Sequence, residues 1–314
     1  MNQRNRLVLA LAAAVLAVPA FAATPINQTR PLAADGRVNI SNVSGRIQVR
    51  TWDKAEVRIT GSLGKGVEKL IIEGDSRSLD IEVKYPQGRG GWGWGDSRRI
   101  EPTTLEVMLP RRAEVEIEAV SADVDVDGLR GRRLEVQNVS GDVHVTGSAL
   151  GEASIQNVSG DLELWLDTDQ LTIETVSGDA NAHGAITGKV SMDSVSGQLR
   201  LSARKLNSLK VGTVSGDADL RLGLVAGGRV DAESLSGNID LAVPAGTGAQ
   251  VDLESFSGSI RSAVGHVHDE EHGPGSSLEA RMGDGNGRIR LESFSGDLRV
   301  QTAGAVSGKA PDVE

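Results

Sequence analysis

The chain contains no cysteine. Disulfide staples, thiol catalysis and lipidation through a cysteine are therefore excluded, and stability has to come from backbone pairing and a long core. Aromatic residues make up only 3% of the 314 positions, whereas 39 positions are glycine, and valine, serine and aspartate are abundant. That mix suits many short strands and tight turns. Positive charge is in deficit: 33 Lys and Arg against 43 Asp and Glu give a formal net charge of −10. Nothing in that balance favours DNA, RNA or an anionic membrane as a partner. No convincing helical period is found beyond the N-terminal stretch.

Long apolar runs are also missing, with one exception, Leu7 to Val18, which is too short to span a bilayer. It follows the basic "MNQRNR" and precedes Ala20-Phe21-Ala22, a small-x-small cleavage site. This is the pattern of a secretory signal peptide over residues 1–22, with a membrane anchor as the alternative reading. Removing Arg4 and Arg6 with the leader leaves 31 basic against 43 acidic residues, a net charge of −12. The expectation is an exported protein, periplasmic, cell-surface or secreted, with no transmembrane segment in the mature chain.

What is present is a repeat. The phrase [Val/Leu/Phe]-Ser-Gly-x recurs with its glycine at Gly45, Gly141, Gly160, Gly178, Gly197, Gly216, Gly237, Gly258 and Gly296, and Ala122 occupies the slot in "VSAD". From Ala122 the steps are 19, 19, 18, 19, 19, 21, 21 and 38, and the last suggests a copy that has lost its phrase. Period-two apolar runs flank each glycine, such as Val143 and Val145 after Gly141, or Leu134 and Val136 before it. They read as half-buried strands. Hairpins in a sandwich and coils of a solenoid both fit this spacing. The near-constant period favours the solenoid, because a one-residue slip would turn every side chain to the wrong face. The predicted fold is all-β, a parallel β-helix-like solenoid with coils of about 19–21 residues in a single elongated domain. Residues 23–118 would form an irregular β region, 119–302 the regular repeats and 303–314 a disordered tail.

Two columns carry the stacking expectation. Three positions before the glycine stand Asn138, Asn157, Thr175, Ser194, Thr213, Ser234, Ser255 and Ser293, a ladder whose members would satisfy one another. The Val/Leu/Phe slot beside it stays apolar throughout, which predicts a continuous core stripe.

The signal peptide, "GRIQVRTWDKAEVRITG" (Gly45 to Gly61), the repeated "VSGD" and the closing "GRIRLESFSGDLRV" (Gly287 to Val300) together resemble the bacterial "putative adhesin" β-strand-repeat family of unknown function, the YvlB-like group. The resemblance spans roughly Asp35 to Thr302. It implies a parallel β-helix-like fold, a cell-envelope location and no established activity, and it supplies no catalytic residues.

Candidate sites divide into those that follow the repeat and those that break it. The aspartates after the glycine (Asp123, Asp142, Asp161, Asp179, Asp217, Asp297) could form an acidic row, but Arg46, Gln198, Asn238 and Ser259 occupy the same slot. A catalytic acid or metal ligand would not tolerate that exchange, whereas a turn position would. The structural glycines are Gly141, Gly160, Gly178, Gly197, Gly216, Gly237, Gly258 and Gly296. Four positions before the glycine stand Glu174, Asp193, Glu233, Glu254 and Glu292. Stacking brings these like charges together. Divalent cations or a basic partner would relieve the repulsion, while screening by salt makes the column an ordinary solvated face.

The loop "HVHDEEH" gathers His266, His268, Asp269 and His272, a ligand set for Zn²⁺, Ni²⁺ or Cu²⁺, but with no fixed scaffold evident for the ligands the favoured reading is a solvated polar loop. "GDGNG" at Gly283 to Gly287 lacks the further ligands of a calcium loop and reads as a turn. Trp92 and Trp94, flanked by Arg98 and Arg99, would either bind a partner or fold back to cap the solenoid. No Gly-x-Ser-x-Gly elbow is present. No cofactor is expected; a divalent cation is the lesser alternative. The reading that follows is a non-enzymatic, adhesin-like envelope scaffold, a monomer binding an envelope protein or glycan. A β-helix glycan-processing enzyme and a metal-responsive envelope-stress protein are the alternatives.

Overall fold

The computed structural model describes residues 24–86, 101–270 and 274–303. Within them the chain is all β: 21 strands and no helix. The N-terminal strands are β1 (Thr24–Pro31), β2 (Arg37–Trp52), β3 (Glu56–Leu63), β4 (Lys69–Gly74), β5 (Ser78–Lys84) and β6 (Thr103–Pro110). The regular coils comprise β7 (Glu114–Asp127), β8 (Arg133–Ser140), β9 (Val143–Ser159), β10 (Leu162–Ser177), β11 (Ala180–His183), β12 (Ile186–Ser196), β13 (Leu199–Thr213) and β14 (Ala218–Ser234). The C-terminal strands are β15 (Ile239–Pro244), β16 (Ala249–Ser255), β17 (Ile260–Ser262), β18 (His268–Asp269), β19 (Ser276–Met282), β20 (Gly287–Ser293) and β21 (Leu298–Ala303).

Parallel, in-register pairing joins each coil to the next, as a solenoid requires. Val143 lies opposite Leu162, Leu162 opposite Ala180, and Ala180 opposite Leu199. The segments after the glycine form one row, face A, in the order β1–β3–β6–β2–β7–β9–β10–β11–β13–β14–β15–β21–β17. The segments before it form face B, in the order β4–β5–β2–β7–β8–β9–β10–β12–β13–β14–β20–β16–β19–β18. Long strands such as β9 serve both rows by turning a corner.

Alternation sends one side of each row into a common core. In β9 this buries Val143, Val145, Leu150, Ala153 and Ile155, and every neighbouring coil repeats the set. A buried aliphatic side chain of this kind is worth roughly 1.5–3 kcal/mol relative to exposure, so the core is strong although it has no large rings. Antiparallel strands cover the stack at both ends, β1, β3 and β4 at one and β19 with β18 at the other. They meet edges that would otherwise invite pairing with other chains.

The glycine at the corner is a steric requirement of stacking. At Gly160, with φ of 117°, a Cβ would stand 2.3 Å from the carbonyl oxygen of Gly141. The aspartate after it ties coil to coil. Asp142 Oδ1 accepts the backbone N–H of Asp161 at 3.0 Å, Asp161 Oδ1 that of Asp179 at 2.9 Å, and Asp179 Oδ1 that of Gln198 at 2.9 Å. Asn238 does the same for Asp297 at 2.9 Å, which is why the slot tolerates an amide.

Three expectations are corrected. The Val/Leu/Phe slot is not core: Val43, Val120, Val139, Val158, Val176, Val195, Val214, Leu235, Phe294 and Phe256 are 43% to 54% exposed. The small polar column is buried, but where its bonds are seen they go to backbone rather than to one another. Asn157 Nδ2 donates to the carbonyls of Gly141 at 3.2 Å and Gly160 at 3.1 Å, and Thr213 Oγ1 accepts the N–H of Gly216 at 3.0 Å. The doubled step before Gly296 is not a coil missing its phrase. Its extra residues form β18 and β19, the antiparallel cap, after which "GDGNG" turns the chain back and β20 enters the stack between β14 and β16.

Candidate binding groove

Face B carries the site. The inward Asn/Thr/Ser position separates two outward columns, one four residues before the glycine and one two before it. The first runs Glu118, Gln137, Gln156, Glu174, Asp193, Gly212, Glu233, Glu292 and Glu254 on successive rungs. The second is the exposed apolar row. Between them lies an open groove of about 1700 Å³ that extends from Glu118 and Val139 to Phe256. Glu118, Glu174, Asp193, Glu233, Glu254, Glu270 and Glu292 line it, and among its described lining residues no lysine, arginine or histidine appears.

The groove is graded along its length. Valines give way to Leu235, Phe294 and Phe256, and the two phenylalanine rings stack with centroids 4.8 Å apart. Glutamines in the early coils give way to three glutamates in successive rungs, Glu233, Glu292 and Glu254. Glu292 pairs with Arg290. The charge of Glu292 foremost, with help from Asp252 and Glu254, holds the Arg290 guanidinium above its ordinary range, a sign of how negative this end is. The carboxyls elsewhere whose titration is clearly displaced are displaced downward: Asp75 and Asp297 by backbone N–H donors, and Glu135 by Arg133.

The described flanks of the two loops that break the repeat reach this row. At the C-terminal end, Glu270, Pro274, Gly275, Ser276 and Ser277 complete the groove wall. His266 and His268 are exposed there, and Asp269 Oδ1 accepts a hydrogen bond from Ser276 Oγ at 2.7 Å. Among the described residues no three His, Asp or Glu side chains converge as a metal site. His272 lies outside the described residues, as do Trp92, Trp94, Arg98 and Arg99. The last strand before that tryptophan loop ends beside the apolar row. Tyr85 Oη donates to Asn42 Oδ1 at 2.8 Å and accepts the backbone N–H of Ser44 at 3.2 Å, on either side of Val43.

Sequence reading missed two features. One is the apolar row itself. The other is on face A, where Trp165 is 38% exposed and stacks on His183 with ring centroids 4.6 Å apart. Desolvation, foremost, lowers the affinity of His183 for its proton. Trp165 and His183 occupy one slot of consecutive coils, so the repeat alignment already put the pair side by side.

The model of the Toastrack DUF4097 family, a domain of unknown function, matches residues 35–301. The chain belongs to the Toastrack family. Curated proteins provide no match. Among solved structures, a "putative lipid binding protein" from Parabacteroides distasonis has 13% identity and a TM-score of 0.50, over 88% of this chain and 96% of that one. A "putative adhesin" from the same organism has 14% identity and a TM-score of 0.49, over 88% and 97%. At such identity the likeness to the first is one of fold. The Toastrack solenoid is a single elongated all-β domain, and among its described residues no helix is long and apolar enough to cross a membrane.

Proposed function

We propose that this Toastrack protein is an exported, non-enzymatic scaffold of the cell envelope that holds a partner along the face B groove. The observation that carries the reading is the ten-rung row from Val43 to Phe256, each residue 43% to 54% exposed. A soluble chain rarely keeps so long a contiguous apolar surface unless something covers it. The same slot could hold a polar residue without loss to the core. Rigid, extended faces of this kind are what solenoids offer to partners. Trp92, Trp94, Arg98 and Arg99 supply a second contact in this reading. The names of adhesin and lipid-binding neighbours are compatible with a binding role.

The test places a photo-crosslinking residue at Val176 in the groove or at Ser202 on face A, in cells that produce the protein. Adducts formed from position 176 and not from 202 support the groove. Equal yields, or none from 176, remove it.

A further inference from the structure

We infer that the groove takes a cationic, amphipathic α-helix of a partner polypeptide, lying along the solenoid axis. The inference rests on the groove reading and adds the occupant's chemistry. The first argument is backbone pairing. The strands beneath the groove are laddered to neighbours on both sides, so the face has no free backbone for an added strand. The occupant must bind through side chains.

Charge is the second argument. Six carboxylates stand in the column facing the apolar row and Glu270 closes the C-terminal end. Arg290, outside the lining, pairs with Glu292, and no described lining residue is a cation. The occupant therefore needs one apolar stripe and one basic flank. An anionic headgroup is repelled, and a neutral glycan leaves the acids unused.

Periodicity is the third. The two columns repeat every 4.8 Å or so along the axis, the strand spacing. A helix presents the same face every turn of about 5.4 Å. An extended chain presents it about every 6.7 Å and loses register with the rungs after two side chains. The helix stays within side-chain reach for several turns.

Dimensions agree. Eight rung intervals from Glu118 to Glu254 make the groove about 38 Å long. That length accepts about seven helical turns, and a helix lying along it sets its basic flank over the carboxylates. The densest contacts fall where Phe294 and Phe256 meet Glu233, Glu292 and Glu254.

The test titrates the purified protein with three fluorescent peptides of about 18 residues, roughly five turns. One is Leu/Lys patterned as an amphipathic helix, one has the same composition in strict alternation, and one is a Leu/Gln helix. A neutral chito-oligosaccharide forms a fourth arm. The Leu/Lys helix is expected to bind at least about tenfold more tightly than either other peptide, a difference of about 1.4 kcal/mol. It should gain helical circular dichroism on binding. Glu233→Gln with Glu254→Gln should weaken it severalfold and flatten its salt dependence. Phe256→Ser with Phe294→Ser should weaken it even at high salt. Equal binding of the alternating or Leu/Gln peptide, binding of the saccharide alone, or no binding at all would overturn the helix. Crosslinks from Val176 would then still decide the groove separately.

Discussion

Asp161 Oδ1 accepts the backbone N–H of Asp179 from the next coil at 2.9 Å. The side chain of one turn thus holds the main chain of another, and the phrase Ser-Gly-Asp is a joint between coils. Asp161→Ala should cost about 0.5–1.5 kcal/mol, the net worth of one such bond, and Asp161→Asn less than half of that. Asn238 already shows an amide in this role. Urea denaturation of both variants checks the ranking, and an equal loss in both would point to charge instead.

The glycine of the joint should be far less replaceable than a glycine that merely turns. Gly160→Ala drives a Cβ to 2.3 Å from the Gly141 carbonyl oxygen at a positive φ, and roughly 2–4 kcal/mol should be lost to overpacking and strain. Gly227 also has a positive φ, 75°, but a Cβ there meets nothing within 4 Å. Gly227→Ala should cost only about 1 kcal/mol. Thermal melts of the two variants measure the difference.

Acid should loosen the C-terminal coils through Asp297. Its carboxylate accepts the N–H and the Oγ–H of Ser259, both at 2.9 Å, and the backbone donor foremost holds it below the ordinary aspartate value. A depressed folded-state value stabilises the protein above the unfolded value of about 3.9 and ceases to do so as pH falls through the folded one. The stability gap between wild type and Asp297→Asn should therefore shrink on going from neutral pH to below the ordinary aspartate range. Urea midpoints at both pH values test this, and a constant gap would contradict it.

The apolar row should be expendable for folding. Val176→Asp is expected to change stability by no more than about 0.5 kcal/mol, as for a surface site. Ile173→Asp, three residues earlier and fully buried, should unfold its coil. Circular dichroism melts distinguish the two.

Much of this architecture was legible in the sequence. The period and the flanking alternation gave the stacked coils, and the scatter of residue types in the aspartate slot marked it as structural. The outward position of the apolar row is legible only from parity, which the residue types themselves mask. Leu134 and Val136 point inward, so alternation carries Asn138 in and Val139 out. A polar residue stands where core was due and an apolar one faces water, and that reversal marks the outer row. The C-terminal threading had no local signature. The "LESFSG" of β16 is repeated in β20, and nothing in either copy says which one lies against β14. The Trp165–His183 pairing follows from the repeat alignment, each residue standing five places after its glycine, but nothing in the alignment says that the two unlike rings stack.

The absence of native cysteine makes the central claim directly measurable. Val176→Cys introduces the sole thiol, and its modification rate by a membrane-permeant maleimide can be compared in purified protein and in intact producing cells. The account predicts rapid labelling of the purified protein and much slower labelling in cells, where a partner covers the groove, while Ser202→Cys on face A reacts equally in both. Slow labelling of the purified protein, or equal rates for Val176→Cys in both settings, would contradict it.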